Sequence, residues 1–534
     1  MKALVNETLN QMLRNVSERY PDRTALIFKD CSMTYQALEE QTNRITRSLK
    51  SRGVRKGTHV AILSENTANA VLAFLSVIKA GGVACMLNTS LKNPELLELL
   101  RISDIEYLMI GQQYKENLFY PVSRELSAQY PLQQIFDIST EHSSPYMSLE
   151  ELAQAGTALP GQPEEFSCKD DTLTPQDPAL ILYTSGTTGQ HPKAVLSTHY
   201  HLVNGGIQKA DTLALTKEDV VCCALQLFHI FCIDVDVMAA FSTGACLAMP
   251  DDLHSASILH CLTKHQCSVL SCVPFTFCTM MKKGQNYPHP FPSLRTGIIG
   301  GAYCSPEMFT QIEGFFGFTL LPGLGQTEAT AGIAVAELED SLELRSTTVG
   351  HFVNHCEGKI IDLKDGSPLP QKATGEICVR GSLLMSEYYK RQDLTSQVID
   401  ADGWLHTGDL GWMDSENYIH YVGRKKELIN RGGEKIIPAE VESCILQLKQ
   451  VDTCKVIGIP DSLYGEEVCA CIIRKPDTQL AETEVLKHLG ESLAPFKMPR
   501  HIVFLDSFPR NASGKISLTE LTSIAENQIK TGSL

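Results

Sequence analysis

Pro178-Ala-Leu-Ile-Leu-Tyr-Thr-Ser-Gly-Thr-Thr-Gly-Gln-His-Pro-Lys193 is a stretch in which an apolar run passes directly into hydroxyl residues and glycines. The apolar part predicts a buried strand, and the small residues after it allow successive N–H groups and hydroxyls to surround an anion. Lys193 lies four residues beyond Gly189 and is followed by Ala194, so this is not the loop of P-loop NTPases. The stretch predicts a phosphate site at a strand end, with a plain Gly/Thr turn as the alternative.

Strands and helices alternate on both sides of this loop. Apolar residues recur at helical spacing in 9–16 and 38–49. Short apolar runs predict strands at 24–28, 59–63, 83–86, 178–183, 220–225, 268–273, 296–299 and 318–321. This order predicts an α/β fold with doubly wound, mainly parallel sheets, in which ligand loops leave the C-terminal ends of strands.

The chain has 534 residues, which is too long for one hydrophobic core. Past Tyr421 a charged cluster precedes a glycine pair and a compact β/α segment. We predict a large N-terminal domain over 1–422, a hinge over 423–428 and a small mobile α+β domain over 429–534. Residues 138–177 are rich in Ser, Pro, Gly and acidic residues, which predicts a surface excursion.

Composition excludes several classes of protein. Lys and Arg number 46 against 62 Asp and Glu, with no basic run, so nucleic acid and anionic membranes are excluded as main partners. The apolar segment 69–88 is interrupted by Lys79 and two glycines, which predicts a buried helix and strand rather than a transmembrane segment. The N-terminus lacks a signal-peptide pattern, so we expect the 18 cysteines to be free thiols in the cytoplasm.

Residues 184–193 resemble the signature Thr-Ser-Gly-Thr-Thr-Gly-x-Pro-Lys-Gly of the adenylate-forming superfamily, which contains acyl-CoA synthetases, adenylation domains and luciferases. This chain has one additional residue before Pro192, and Ala194 replaces the usual glycine. The resemblance implies an ATP site, with Thr184 also catalytic. The phosphate-binding residues that it implies are Thr184, Ser185, Gly186, Thr187, Thr188, Gly189 and Lys193.

Two further segments resemble the superfamily in the same order. Residues 300–302 are similar to the segment that lies against adenine and the acyl group, and residues 323–328 are similar to the Tyr-Gly-x-Thr-Glu motif. The nucleotide-binding residues implied here are Gly301, Ala302, Gly323, Leu324, Gly325, Gln326 and Thr327. Glu328 is implied as the catalytic Mg²⁺ ligand, and Leu324 removes the aromatic stacking on adenine that the usual tyrosine provides.

The C-terminal third continues the resemblance. Residues 404–409 are similar to a motif whose carboxylate, here Asp409, accepts both ribose hydroxyls. In the cluster 423–427, Arg424 is implied to contact ribose and Lys426 to be the pivot of the hinge. Gly432 and Gly433 resemble a loop that lines the pantetheine tunnel of CoA ligases, and Lys515 resembles the lysine that reaches the active site during adenylation.

Residues 227–231 resemble the Pro-Leu-Phe-His segment of the superfamily, which implies an acyl pocket lined by Phe228, His229 and Gly300. A core histidine is the alternative for His229. Adenylation domains for α-amino acids carry Asp after this Phe, so His229 argues against such substrates. Either Asp234 or Asp236 faces the pocket and accepts a polar or cationic group, or both lie at a helix end or toward water.

The resemblance covers almost the whole chain and implies an ATP-dependent ligase that joins a fatty or related organic acid to coenzyme A, with Mg²⁺ as cofactor. A free-standing adenylation enzyme that loads an acyl carrier protein stays open as the alternative. A luciferase-like oxygenase and a nucleotide-binding regulatory protein without turnover are the other classes, and Glu328, Asp409 and Lys515 argue against the last. We expect a monomer or homodimer.

Overall fold

A computed structural model describes residues 3–142, 144–159, 172–184, 192–284, 291–510 and 516–531. The chain divides into two compact units. The first comprises Met1–Glu357 and Val379–Leu405, and the second Gly358–Cys378 and His406–Leu534. A hinge is defined by motion, which the division into compact units does not test. The hinge at 423–428 therefore stays a prediction.

A nine-stranded sheet forms one half of the first unit. Its strands are, in spatial order, His351–Phe352, Ala329–Val335, Thr319–Gln326, Thr296–Ile299, Val269–Leu270, Val220–Cys222, Cys246–Met249, Thr24–Phe28 and Cys31–Thr34. The pairs in the middle of this sheet are parallel, and the antiparallel pairs lie at its two ends.

An eight-stranded sheet forms the other half. Its strands are, in spatial order, Glu387–Tyr388, Lys193–Thr198, Pro178–Thr184, Val83–Met86, His59–Leu63, Tyr107–Ile110, Gln134–Asp137 and Met147–Ser148. Three neighbouring central strands are buried at every residue, as expected where both faces of a parallel sheet are covered. A separate small hairpin pairs Gln113–Tyr114 with Asn117–Leu118.

Helices connect most of these strands. The helices of the first unit are Leu9–Arg19, Tyr35–Ser51, Ala68–Lys79, Asn93–Ile102, Phe119–Gln129, Leu149–Ala158, His199–Thr212, Cys232–Met238, Ala239–Thr243, Ser255–Lys264, Pro274–Gly284, Pro306–Phe316, Leu342–Thr347 and Gln392–Val398. Hydroxyl side chains begin several of them: Thr67 and Thr198 accept hydrogen bonds from backbone N–H groups of the first turn, which satisfies donors that the helix leaves unpaired.

The second unit contains a five-stranded sheet and most of a four-stranded sheet. The four strands are, in order, Cys356–Ile361, Gly375–Gly381, Leu405–Met413 and Ile419–Arg424. The five are Glu434–Ile436, Ile429–Arg431, Gly465–Arg474 and Val451–Asp461, with His501–Phe504 also paired to Gly465–Arg474. Its helices are Lys425–Glu427, Pro438–Ile445, Glu482–Gly490, Pro495–Lys497 and Leu518–Thr531.

The fold class predicted from the sequence is confirmed, and segment 69–88 forms the helix Ala68–Lys79 and the strand Val83–Met86 as expected. The prediction that residues 138–177 form a surface excursion is wrong for part of this segment, because the helix Leu149–Ala158 packs against the helix Tyr35–Ser51. A Cβ on Gly156 would lie only 1.9 Å from the Arg44 carbonyl oxygen. In the part of the chain described, all 17 cysteines are free thiols and no helix is long and apolar enough to cross a membrane.

Candidate active site

The predicted phosphate loop begins at the C-terminal end of the strand Pro178–Thr184. That strand runs parallel to Val83–Met86 and antiparallel to Lys193–Thr198, and Thr184 lies opposite Lys193 in the ladder. Both ends of the loop are therefore fixed at the carboxyl end of the strand Pro178–Thr184, which is where ligand loops of α/β sheets lie. Ser185, Gly186, Thr187, Thr188 and Gly189 lie outside the described residues, as does Lys515.

A tyrosine connects Lys193 to Glu328. The Tyr388 hydroxyl donates a 2.7 Å hydrogen bond to Oε1 of Glu328, and Nζ of Lys193 lies 4.7 Å from the centroid of the Tyr388 ring, within cation–π distance. Burial, together with the neighbouring Glu328 carboxylate, raises the pKa of Tyr388 above its usual range, so the phenol stays protonated and keeps donating. Two residues predicted separately are thus brought together by a third.

Sequence reasoning missed Tyr388, because its role depends on a sheet pairing. The strand Glu387–Tyr388 pairs with Lys193–Thr198, with Val195 opposite Tyr388. The Met385 N–H also donates to the Glu328 carbonyl oxygen at 2.8 Å. The sequence signal was only a pair of tyrosines in a polar segment.

Glu328 lies in the tight turn of a hairpin that extends the nine-stranded sheet. The strand Thr319–Gln326 pairs parallel with Thr296–Ile299 over its first half and then antiparallel with Ala329–Val335. Thr327 and Glu328 form the two-residue connection. The turn therefore projects the carboxylate beyond the carboxyl edge of the sheet.

Glycines allow backbone to approach closely beside this hairpin. A Cβ on Gly300 would lie 2.9 Å from the Gly323 carbonyl oxygen and 3.7 Å from the Phe231 ring, so Gly300 adjoins both the hairpin and the predicted acyl segment. Gly301 has a φ of +78°, which favours glycine, and Gly301 and Ala302 are exposed.

The hairpin arm holds the other predicted nucleotide contacts. Leu324, Gln326 and Thr327 are half-buried and Gly325 is exposed. Nε2 of Gln326 is buried without a hydrogen-bond acceptor among the described residues. Buried donors in native proteins are normally paired, so this amide is suited to donate to a ligand.

The predicted acyl segment is fixed by Asn66. Its side-chain oxygen accepts from the Leu227 N–H at 3.0 Å, and its amide donates to the Leu225 carbonyl oxygen at 2.6 Å. The Phe228 and His229 rings lie 4.6 Å apart. Phe228 is buried and His229 half-buried.

The two aspartates of this segment differ in their surroundings. Both are buried, at 1% exposure for Asp234 and 0% for Asp236, so the water-facing alternative is wrong. Asp236 lies beside the thiols of Cys223 and Cys232. Asp234 packs instead against the helix His199–Thr212, where a Cβ on Gly205 would lie 2.4 Å from its Oδ1.

In the second unit, Asp409 and Arg424 lie opposite each other in paired strands. Nε of Arg424 is 2.7 Å from Oδ1 of Asp409, and the carboxylate is fully buried. Burial disfavours the charged guanidinium, but Asp409 and Tyr421 outweigh it and raise the pKa of Arg424. The two predicted ribose contacts are therefore adjacent, with Arg424 charged.

A hydrogen-bond network holds the loop in front of Asp409. The Asp409 N–H donates to the Thr407 hydroxyl at 3.0 Å, and the Gly408 N–H donates to Glu376 at 3.1 Å. Glu376 also accepts from Lys425 at 2.8 Å. Lys426, the predicted pivot, is exposed in the turn Lys425–Glu427.

The predicted pantetheine glycines form a two-residue hairpin turn. Gly432 and Gly433 have φ of +61° and +98° and connect Ile429–Arg431 to Glu434–Ile436, as in the turns that require positive φ at both central residues. Within the described residues, no atom lies within 4 Å of a Cβ built on Gly433, whereas a Cβ on Gly432 would lie 3.0 Å from the Tyr464 ring. The open part of this turn is therefore at Gly433.

Two known families match most of the chain. Residues 13–389 match the family described as AMP-binding enzyme, and residues 440–515 match the AMP-binding enzyme C-terminal domain. The curated relative YngI of Bacillus subtilis (strain 168) is 31% identical over 539 residues, which cover 98% of this chain and 97% of its own.

Two further relatives carry functional names. The crotonobetaine/carnitine–CoA ligase of Salmonella paratyphi A is 30% identical over 526 residues, covering 97% of this chain and 99% of its own. The solved structure of o-succinylbenzoate CoA synthetase from Bacillus subtilis, in complex with its acyl-adenylate intermediate, is 26% identical with a TM-score of 0.79, covering 97% of this chain and 98% of its own.

Proposed function

Because the chain belongs to the family of AMP-binding enzymes, we propose that it is an AMP-forming carboxylic acid:CoA ligase. The carboxylate of the substrate attacks the α-phosphorus of ATP, and pyrophosphate leaves. The thiol of coenzyme A then attacks the carbonyl of the acyl-adenylate, and AMP leaves. Activation is needed because a carboxylate has no adequate leaving group for attack by a thiol.

The observation that carries this proposal is the array of Lys193, Tyr388 and Glu328, in which Lys193 is paired with Thr184 at the start of the predicted phosphate loop. In the proposed site this array would supply a cation and an oriented carboxylate to the charge that develops on the phosphates, and fixed charges of this kind are a main source of catalysis.

The Glu328 carboxylate fits a Mg²⁺ ligand. It is a hard oxygen donor in a two-residue hairpin turn, and Tyr388 donates a hydrogen bond to one of its two oxygens. Mg²⁺ in phosphate-transfer sites is bound by one or two carboxylates together with the phosphates of the substrate. When bound, the ion would neutralise phosphate charge, and Tyr388 would orient its ligand.

The residues of the second unit take the remaining proposed roles. Asp409 and Arg424 bind the ribose hydroxyls, and Lys515 bridges the carboxylate and the α-phosphate during adenylation. Rotation about Lys426 then withdraws Lys515 and brings Gly432 and Gly433 beside the pantetheine arm. The predicted domains 1–422 and 429–534 are the parts that would move.

Coenzyme A is the proposed acceptor, because relatives that match along nearly their whole length are named CoA ligases. An acyl carrier protein is the second candidate, since its phosphopantetheine has the same thiol arm. A panel of carboxylic acids with ATP and Mg²⁺, assayed for pyrophosphate and AMP with and without free CoA, tests both. We expect thioester formation with free CoA and poor turnover of α-amino acids. No pyrophosphate with any acid would contradict the proposal.

Gly433→Leu should impair the second half-reaction while sparing the first. A side chain there would enter the path proposed for pantetheine, and a displacement of about 1 Å at a reacting group costs roughly a hundredfold in rate. Single-turnover measurements of adenylate and thioester formation separate the two steps. Gly366→Leu is the matched control, because Gly366 also has positive φ and open space around a Cβ. Equal loss in both half-reactions of Gly433→Leu would contradict the assignment.

A further inference from the structure

A buried carboxyl group lies beside two buried thiols in the first unit. Cys232 and Asp236 are four residues apart on the helix Cys232–Met238, and Cys223 directly follows the strand Val220–Cys222. All three residues are 0% exposed. Their two Sγ atoms and one carboxyl oxygen lie within 4.8 Å of one another, and the two sulfurs are 3.6 Å apart. A single ion among them is therefore within reach of all three side chains.

The carboxyl group of Asp236 is not satisfied by the protein. Neither of its oxygens has a hydrogen-bond partner among the described residues. Burial raises the pKa of Asp236 well above its usual value, against the opposing effect of the neighbouring Leu225 N–H, so the carboxyl is protonated when no cation is near. A protonated carboxyl still has a donor and an acceptor to satisfy, and buried polar groups in native proteins are normally paired. Protonation alone therefore does not explain this residue.

A second group of thiols, formed by Cys222, Cys261 and Cys267, differs in this respect. Its sulfurs also lie within 4.8 Å of one another, but Cys222 and Cys267 both hydrogen-bond to Cys261. The Cys267 thiol also lies 3.5 Å from the Cys261 carbonyl oxygen as a donor. This second group contains no unpaired carboxyl, so core packing accounts for it.

The donor atoms around Asp236 select the ion. Two sulfurs and one carboxyl oxygen suit Zn²⁺, whereas Ca²⁺ and Mg²⁺ prefer oxygen throughout and Cu⁺ prefers sulfur. In a tetrahedral site with Zn–S bonds of about 2.3 Å, two sulfurs lie about 3.8 Å apart, close to the 3.6 Å between Cys223 and Cys232. The charge of Cys272 couples to Asp236 and Cys223, so a further sulfur neighbours the site. A disulfide between Cys223 and Cys232 would leave Asp236 unsatisfied.

The surroundings of the three side chains are also typical of a metal site. The Asn66 side-chain amide lies 3.8 Å from Sγ of Cys223 as a donor, and such outer contacts orient metal ligands. The same Asn66 holds the predicted acyl segment through Leu225 and Leu227. The helix Cys232–Met238 is a π-helix, a rare conformation that is frequent at functional sites.

We propose that Cys223, Cys232 and Asp236 bind one Zn²⁺ ion at a structural site. Binding displaces the protons of the two thiols and of the carboxyl, as metal ligands require. The ion satisfies the carboxyl of Asp236 and connects the end of the strand Val220–Cys222 to the helix Cys232–Met238. Its role is to stabilise the first unit, so the site is independent of the proposed ligase reaction.

The test is the zinc content of the full chain, expressed in medium with added zinc, purified without a metal-binding tag and measured by mass spectrometry of the elements. We expect about one Zn²⁺ per chain. Cys232→Ser and Asp236→Asn should each lower the content by roughly tenfold or more, because each removes a ligand. Cys85→Ser and Asp234→Asn are the matched controls, since Cys85 and Asp234 are 0% and 1% exposed but lie outside this group. Both controls should keep the native content.

The triple variant Cys223→Val/Cys232→Ala/Asp236→Leu protects the test against misfolding, because it leaves no polar group unpaired at the site. It should contain no zinc and have a Tm that a chelator does not change. The same chelator should lower the Tm of the native protein by several degrees, because an ion that binds only the folded state stabilises it.

Three results would overturn the inference while leaving the ligase reaction in place. The first is a native protein that contains no zinc and whose Tm does not rise when it is refolded with Zn²⁺. The second is zinc retained by the triple variant. The third is zinc lost in Cys222→Ser but kept in Cys232→Ser, which would place the ion at the second group of thiols.

Discussion

Lys515→Ala should nearly abolish adenylation and leave thioester formation from a supplied acyl-adenylate close to the native rate. The carboxylate and the α-phosphate are both anions, and a cation between them lowers the cost of their approach. Loss of one such preorganised contact costs about 2.7–4 kcal/mol, or roughly a hundredfold to a thousandfold in rate. The second step is spared because the proposed rotation about Lys426 has by then removed Lys515.

Each half-reaction is measured separately, as acid-dependent exchange between pyrophosphate and ATP and as thioester formation from synthetic acyl-adenylate and CoA. Lys530→Ala is the matched control, because Lys530 is an exposed lysine of the C-terminal helix that pairs only with Glu526 in the described structure. A Lys515→Ala variant that kept exchange and lost the thioester step would reverse the assignment of this lysine.

Glu328→Gln should reduce adenylation by a similar amount, on the order of a hundredfold to a thousandfold. An amide is a weaker ligand for Mg²⁺ than a carboxylate, so the rate should also saturate at a higher Mg²⁺ concentration. Tyr388→Phe removes only the hydrogen bond that orients this carboxylate, and loss of such a supporting contact costs about tenfold to a hundredfold.

The measurement is the initial rate of pyrophosphate release as a function of Mg²⁺ concentration for both variants. Glu339→Gln serves as the control, because Glu339 is exposed beyond the same hairpin. An unchanged Mg²⁺ dependence in Glu328→Gln would show that another group holds the ion, and the role given to Tyr388 would then fall with it.

Much of the first unit follows from local sequence patterns. The strand before the predicted phosphate loop and the hairpin at Glu328 are each indicated by an apolar run followed by small residues. The helix Leu149–Ala158 was missed although its buried residues Leu149, Leu152, Ala153 and Gly156 have helical spacing. The polar composition of the surrounding segment concealed this pattern, which shows that periodicity is a better guide than composition.

Contacts between distant segments could not be predicted in this way. Tyr388 reaches Glu328 only because its strand pairs with Lys193–Thr198, and Asp234 fits against the helix His199–Thr212 only because Gly205 leaves space there. Neither contact is marked by a regular spacing of residues in the sequence. The resemblance to a family supplied the predicted motif residues, whereas these supporting residues required the fold.

The central claim, that the acid is activated at the α-phosphorus, is tested most directly by isotope transfer. A substrate acid labelled with oxygen-18 in its carboxyl group should give AMP that carries one labelled oxygen per turnover, read by mass spectrometry. That oxygen bridges carbon and phosphorus in the acyl-adenylate and leaves with AMP when the thiol attacks the carbonyl. Label found in inorganic phosphate, with ADP as the nucleotide product, would show activation at the γ-phosphorus and contradict the account.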